Sequence, residues 1–253
     1  ETGSAEPPED WPALAVAAGF AGDEGEYYEA LREATLDAAR RAVRERERAG
    51  DRQLIHRVRA MDDCDRVANE LAERVAEWAG SLLDDVDEGV AGARRVADHE
   101  AAPEPLRSLA ARVCDLDEEA GALRASVERT APDVAPNLSA MAGPVLAARL
   151  IALAGGLEAL AKMPSGTVQV LGAEDALFAH LRGEAPSPKH GVIFTHEYVR
   201  GIRAEDRGSA ARAVAGKLSI AARIDHYAGD RRPDLEAELD DRIATIRARG
   251  DDE

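Results

Sequence analysis

The run NLSAMAGPVLAARLIALAGGLEALAKMPSGTVQVLGAEDALF occupies residues 137–178. Alanine and leucine dominate it, and its prolines and glycines stand where one short segment ends and another begins. Residues 165–171 alternate as a strand would, and Gly172 ends that alternation. The segments that we predict as short helices are 138–142, 144–154 and 157–163. The run therefore predicts a compact, mainly helical block, and Arg149 within its longest apolar stretch indicates a core helix, not a membrane span.

Towards the end of this run and beyond it, the pattern predicts one further helix, a loop and a longer helix. We expect a helix over 173–182, a loop over 183–191 stiffened by two prolines, and a helix over 209–228. A last amphipathic helix is indicated by the spacing of its apolar residues, Leu235, Leu239, Ile243 and Ile246.

Upstream, two long apolar stripes predict an antiparallel helical rod. The first runs from Leu54 to Leu82, and the second, from Leu106 to Val127, follows a 3-4-3-4 spacing. About twenty residues separate them, so the helices should fold back on each other as a coiled coil, whose seam could also recruit a second copy. The same spacing fits two ordinary helices of a bundle, but the charged flanks favour a projecting rod.

Prolines in residues 131–137 (APDVAPN) place a domain boundary at the end of this rod. A first amphipathic helix is predicted from Tyr28 to Val43. The predicted domains are an acidic lead-in with this first helix (1–50), an antiparallel coiled coil (51–131), a compact helical block (132–230) and a C-terminal helix with an acidic tail (231–253). The fold class is therefore all-α.

The charge balance argues against nonspecific nucleic-acid binding, because the chain has 49 acidic and 32 basic residues and a formal net charge of -17. Only three basic residues are lysines, the rest being arginine, a composition suited to a halophile at molar salt, where acidic surface is screened. An ordinary acidic protein is the alternative. Residues 137–228 differ, because their ten basic and eight acidic side chains give a net charge of +2 and leave -19 elsewhere. An anionic partner could bind there.

The sequence shows no catalytic or metal-binding motif, so we expect neither an enzyme nor a metal site. Its only clustered histidines, His180, His190 and His196, have spacings of ten and six without a carboxylate pattern. Cys64 and Cys114 lack a CxxC spacing and are expected to be buried free thiols in a reducing cytoplasm. Neither a signal sequence nor a membrane span is indicated.

Taken with PKHGVIF (188–194) and RGSAARAVAGKLSIAARIDHY (207–227), the run 137–178 resembles the Nop domain of box C/D ribonucleoprotein core proteins. Residues 51–78 are similar to the segment by which this archaeal and nucleolar family enters its coiled coil. The resemblance implies a scaffold that binds kink-turn guide RNA jointly with a small ribosomal-type protein. It also implies a fibrillarin partner, which would carry S-adenosylmethionine for ribose 2'-O-methylation of rRNA or tRNA. The family's α/β domain, which holds fibrillarin, is expected to be absent, reduced or upstream of Glu1.

Within the resemblance, cations and backbone amides on a rigid frame are the candidate RNA- and protein-binding groups. They are Gly172, Ala173, Glu174, Lys189, His190, Gly191, Arg207, Arg212, Lys217 and Arg223. Lysine can meet phosphate, histidine can stack on a base, and Gly172 would bring two amides to a partner at a helix start. Each also has a structural interpretation, such as a solvated helix face, and for Arg149 we expect a structural ion pair instead.

Two positions depart from the family pattern: Asp175 and Ser209 stand where relatives commonly carry lysine. Each substitution puts one phosphate contact in doubt. We therefore expect stacking, hydrogen bonds and protein contacts to carry more of the affinity here than they do in relatives that work at low salt. The alternatives are a coiled-coil dimerisation adaptor that does not bind RNA, and an enzyme of unrecognised type.

Overall fold

The computed structural model describes residues 9–84 and 86–251, with side chains to residue 248. The chain divides into two compact units, one ending at Ala49 and the other starting at Gly50. The structure is 77% helical, and its described residues contain no strand. The all-α fold class is confirmed. Residues 1–8 of the predicted acidic lead-in and Asp85 of the predicted coiled coil lie outside the described residues.

The first unit contains two helices, α1 (Trp11–Ala17) and α2 (Glu24–Glu47). Asp10 and Asp23 cap them, each accepting a hydrogen bond from a backbone amide three residues later. Neither helix contains a buried residue. The predicted first helix therefore forms, but the unit does not bury its apolar face.

The second unit opens with a long antiparallel helix pair, α3 (Gly50–Gly80) and α5 (Glu104–Val134). Arg57 donates to the Thr130 hydroxyl at 3.1 Å, and Arg124 lies 3.2 Å from the Asp65 carboxylate, which sets the antiparallel register. Along the predicted α5 seam, burial alternates. One set of positions is buried, Leu106, Val113, Ala120 and Val127. The intervening leucines, Leu109, Leu116 and Leu123, are only partly buried.

An additional helix, α4 (Gly89–Ala97), lies in the connection between the two predicted stripes, for which no helix was predicted. It packs on both α3 and α5, and it buries Ala93 and Val96 in a cluster at the outer end of the pair. Tertiary burial stabilises this nine-residue segment, which is too short and too glycine-rich to be helical alone.

The rod helix ends at Val134, inside the predicted break over residues 131–137. It continues through Pro132, because a proline so close to a helix end removes a single backbone hydrogen bond. One predicted element was wrong. The strand-like residues form a helix, α9 (Ser165–Val170), which packs on α12 (Arg207–Tyr227) with Val168 buried. Its β-branched residues imitate strand alternation, but no strand exists among the described residues to pair with it.

Within the described residues, six further helices join α9 and α12 in the block. They are α6 (Pro136–Ala142), α7 (Pro144–Ala154), α8 (Leu157–Lys162), α10 (Glu174–Leu181), α11 (Glu197–Arg200) and α13 (Asp234–Asp251). The starting turns of α3 and the last turns of α5 share their hydrophobic core, so the base of the helix pair belongs to the block. No single described helix could cross a membrane, although the bent pair α6 and α7 is together long and apolar enough by length and composition alone.

Polar contacts also hold the block. The side-chain amide of Asn137 donates to Asp225 at 2.7 Å and to the Asp230 carbonyl at 2.8 Å, while its oxygen accepts from the Arg232 amide at 2.6 Å. Asp225 further accepts from the backbone amides of Asn137 and Leu138. This network ties the start of α6 to the end of α12.

Arg149 forms the structural ion pair that the sequence predicted. Its guanidinium contacts both carboxylate oxygens of Asp62, with its Nε 3.2 Å from each. The two cysteines were expected to be buried, and this was wrong: both Cys64 and Cys114 are free but only half-buried. They lie on the flanks of their helices, beside the buried positions Met61 and Val113.

Candidate nucleic-acid interface

A short backbone pairing fixes the loop that follows the double proline. The Gly191 amide donates to the Gln169 carbonyl at 2.9 Å, and the Val192 amide donates to the Leu171 carbonyl at 2.8 Å. The Gln169 side chain donates to the Lys189 carbonyl at 2.7 Å. A Cβ at position 191 would lie 2.0 Å from the Leu171 oxygen, so only glycine fits. Gly191 therefore holds the loop in place and exposes Lys189.

Phe194 organises the side chains of this loop. The His190 ring stacks on it, with centroids 4.6 Å apart and 23° between planes, and the Arg207 guanidinium carbon lies 5.5 Å from the Phe194 centroid. Desolvation lowers the pKa of His190, and the positive charges of Arg207 and Lys189 lower this pKa further. His190 is thus held as a neutral ring, already stacked within the protein.

Lys189 and Arg207 converge beside this stack. Lys189 is exposed, and its aliphatic stem lies over Gly208, where an added Cβ would be 3.9 Å from the Lys189 Cδ. Arg207 is half-buried at the start of α12, and its Nε has no hydrogen-bond partner among the described residues. Lys189, His190, Phe194 and Arg207 therefore form one accessible patch, called the Lys189–Arg207 surface below. It combines two cations with aromatic rings, as protein surfaces that bind nucleic acid do.

The turn at Gly172 lies against the same loop. Gly172 has a φ of +83°, and an added Cβ would lie 3.4 Å from Val192. The Ala173 amide donates to the Val170 carbonyl at 2.9 Å, and the Glu174 carboxylate accepts from the Gly172 amide at 2.8 Å. Ala173 was predicted to offer its amide to a partner, but the fold already uses that amide. Gly172 and Glu174 are exposed at the edge of the patch.

The remaining predicted cations are separate from the Lys189–Arg207 surface. Lys217 forms an ion pair with Glu238 on α13, and Arg223 donates to the carbonyls of Ala161 and Met163 at the end of α8. Arg212 is exposed and lies about 140° around an ideal helix from Arg207. Lys217 and Arg223 thus stabilise the block, and Arg212 points away from the patch. Asp175 and Ser209, the two departures from the family pattern, are both exposed.

The other two histidines of the predicted cluster, His180 and His196, have separate structural roles. His180 Nδ1 lies 3.0 Å from the Ala185 carbonyl, and His196 is buried with its Nε2 2.9 Å from the Met141 carbonyl. His196 Nδ1 accepts from the Tyr198 amide, which assigns the proton to Nε2. Within residues 9–84 and 86–251, no group of three side chains could hold a metal ion.

A groove of about 610 Å³ adjoins the patch. Gly172, Gly191 and Phe194 line one side of it, and the Arg149–Asp62 pair lines the other. Its walls therefore come from α3, α7 and the same loop. A partner on the Lys189–Arg207 surface would reach this groove.

Residues 60–246 match the family model described as Nop, snoRNA binding domain, fibrillarin. The chain belongs to the Nop family. This Nop chain is 42% identical over 183 residues to an uncharacterized NOP5 family protein of Methanocaldococcus jannaschii, covering 72% of the chain and 40% of that relative. It is 43% identical over 122 residues to mouse nucleolar protein 56, covering 48% of the chain and 21% of that protein.

Its fold is similar to that of a chain in the crystal structure of a fibrillarin/Nop5p complex. The TM-score is 0.61 at 25% identity, with 97% of this chain and 88% of that chain covered. The Nop chain spans about two fifths of the archaeal relative and about one fifth of mouse nucleolar protein 56. The predicted family resemblance is confirmed.

Sequence reasoning missed Phe194. It stands four residues after His190 in PKHGVIF, and a 3₁₀ turn over Val192–Thr195 brings the two rings together. An aromatic residue close to a loop histidine was a signal that could have identified it.

Proposed function

We propose that this Nop chain is a scaffold of a box C/D guide-RNA ribonucleoprotein. The Lys189–Arg207 surface would bind kink-turn RNA together with the small ribosomal-type protein that clamps the kink. Fibrillarin, which forms a complex with Nop5p in the similar crystal structure, would be the methyltransferase partner. Ribose 2'-O-methylation of rRNA or tRNA would then use S-adenosylmethionine on fibrillarin, and this chain would contribute positioning alone.

The observation that carries the proposal is the convergence of two cations and a neutral stacked ring on an accessible patch of a Nop-family block. A chain of net charge -17 repels RNA over most of its surface. A local basic patch therefore gives RNA a defined site. Because RNA with a kink is recognised by shape, phosphates and unstacked bases, a rigid patch of this kind suits it.

A gel-shift assay with kink-turn guide RNA, in the presence and absence of the kink-binding protein, tests the proposal. We expect a supershift only when RNA and the kink-binding protein are both present, because the chain would recognise the two jointly. Absence of a supershift, with the chain still self-associating, would favour the coiled-coil adaptor. Methyl transfer by the isolated chain would favour an enzyme.

A salt titration tests how the RNA is held, in a cytoplasm that we propose is rich in salt. Asp175 and Ser209 stand where relatives commonly carry lysine, and Lys217 and Arg223 are engaged within the block. We expect the slope of the logarithm of the binding constant against the logarithm of the salt concentration to correspond to no more than about three phosphate contacts. A steeper slope would contradict a mode of binding dominated by stacking and protein contacts.

Self-association through α3 and α5 is also proposed, on the half-exposed leucines of the α5 seam. Leu109, Leu116 and Leu123 alternate with the buried positions and pack only partly within the chain. A second copy could cover their exposed sides. Light scattering tests this. It compares the mass of the wild-type chain with that of a chain in which all three leucines are replaced by glutamate.

A further inference from the structure

The α2 helix carries a heptad seam that its own unit leaves uncovered. Its positions follow the 3-4-3-4 spacing of a coiled coil: Tyr28, Leu31, Thr35, Ala38 and Ala42. Every residue from 31 to 46 is exposed, and the Leu31 side chain is 47% accessible. A 24-residue helix without a buried side chain gains little stability from its own contacts.

Charge along α2 is divided between its two halves. Residues 24–37 hold five acidic side chains and one basic, a net charge of -4, whereas residues 38–48 hold five arginines and two glutamates, a net charge of +3. An antiparallel neighbour with the same sequence would place each acidic half beside a basic half. A parallel neighbour would place like charges together and set Arg41 near Arg46 of the other copy.

The size of the seam residues follows the same two-fold pattern. In an antiparallel pair centred between Leu36 and Asp37, Leu31 would face Ala42, and Thr35 would face Ala38. Leu31 and Thr35 thus each meet an alanine, which permits close helix packing there, while Tyr28 faces Glu45 at the end of the seam.

We propose that α2 pairs antiparallel with α2 of a second copy of this chain. The occupant is inferred from the charge division and from the pairing of Leu31 and Thr35 with alanines. This interface is distinct from the self-association proposed for α3 and α5, and it does not depend on RNA binding.

Directed disulfide formation in the full chain tests both the pairing and its direction. In a background with Cys64→Ser and Cys114→Ser, the Thr35→Cys chain is mixed with the Ala38→Cys chain under mild oxidant. We expect about tenfold more covalent dimer from the mixture than from either chain alone, because a disulfide requires Cα atoms within about 7 Å. The Glu33→Cys chain, substituted on the opposite face of α2, measures background crosslinking.

Two matched substitutions show whether the seam is responsible. Leu31→Arg should abolish the mixed disulfide, whereas Leu36→Arg should leave its yield unchanged, because Leu36 is equally exposed at 44% but lies about 140° around the helix. Circular dichroism of each variant establishes that it is folded. Any of three results overturns the proposal: a mixture yield equal to that of Glu33→Cys, a Thr35→Cys chain that crosslinks with itself as well as the mixture does, or a disulfide that survives Leu31→Arg.

Discussion

The two hydrophobic clusters of the second unit are assembled in different ways. At the outer end of the helix pair, six of the ten buried residues in the cluster are alanine, and the ion pairs nearby are exposed and mostly three or four positions apart. In the block, large apolar side chains pack around α12, and polar contacts join residues 87 to 95 positions apart. The outer end thus depends on local periodicity, whereas the block depends on contacts between distant segments.

This difference indicates where rigidity is needed. A patch that must present Lys189 and Arg207 at a fixed spacing requires neighbours that do not move relative to one another. Buried, fully hydrogen-bonded polar groups supply that constraint, since moving one segment leaves partners unsatisfied. We therefore expect substitutions of polar residues to be costly in the block and nearly neutral at the outer end.

The largest effect is expected for Asn137→Ala. This removes three hydrogen bonds under 3 Å from a fully buried side chain and leaves the Asp230 carbonyl and the Arg232 amide unpaired, at a cost of about 3 kcal/mol in the free energy of unfolding. The matched control is Asn69→Ala. Within the described part of the chain the exposed Asn69 amide donates to the Asp65 carbonyl alone, and we expect a change below about 0.5 kcal/mol. Urea denaturation measures both, and equal losses would break the comparison.

Gly191→Ala should come next, at about 2 kcal/mol, because its Cβ would overlap the Leu171 carbonyl and separate the paired segments. RNA binding should weaken in parallel, since Lys189 and His190 would be displaced. Gly166→Ala is the control: it has open space around it within α9 and should stabilise the chain slightly. Thermal unfolding distinguishes the two, and a tolerated Gly191→Ala would contradict the proposed constraint on the loop.

A smaller effect, about 1 kcal/mol, is expected for Arg149→Ala. The Arg149 side chain is 28% accessible, so its bidentate pair with Asp62 is only partly screened by solvent. Arg66→Ala, which breaks exposed pairs with Asp63 and Glu70, should cost less than about 0.5 kcal/mol. If the two variants unfolded at the same denaturant concentration, the long-range pair of Arg149 would stabilise the chain no more than the local pairs of Arg66. The comparison of the two regions would then fail.

The smallest effect concerns the pH dependence of stability. Because the pKa of His190 is lower in the folded chain than its ordinary value, the unfolded chain binds more protons just below pH 6.5. The contribution of His190 is therefore present above pH 6.5 and declines as pH falls towards the lowered pKa. Unfolding of wild type and His190→Gln at pH 7.5 and 5.5 measures it, and the wild type should lose slightly more stability. A greater loss in the variant would reverse the assigned direction.

Sequence patterns predicted where the helices lie better than they predicted which helices contact one another. The long helices α3 and α5 and the block helix α7 follow from apolar spacing and from a proline at the helix start, which are local signals. The helix α4 was missed because its formation depends on packing against α3 and α5. The strand-like pattern of α9 misled because its β-branched residues imitate strand alternation, while the described residues contain no strand that could pair with it.

The candidate site was predictable as a set of residue types but not as an arrangement. Lys189, His190 and Arg207 converge, yet the ring of Phe194 that holds them together could not be inferred from helical spacing. Lys217 and Arg223 looked equivalent to Arg207 in sequence, but their partners lie on α13 and α8. Which cations are free to bind RNA is decided by such long-range contacts.

The central claim is that the block binds RNA and its clamp protein through the Lys189–Arg207 surface. Its most direct test is the affinity of the full chain for a preformed complex of kink-turn RNA and kink-binding protein, measured for Lys189→Ala/Arg207→Ala and for Arg94→Ala/Arg112→Ala at the outer end. Both variants lose two positive charges. We predict at least about tenfold weaker binding for the first and less than about twofold for the second. Equal affinities for the two variants would contradict the claim.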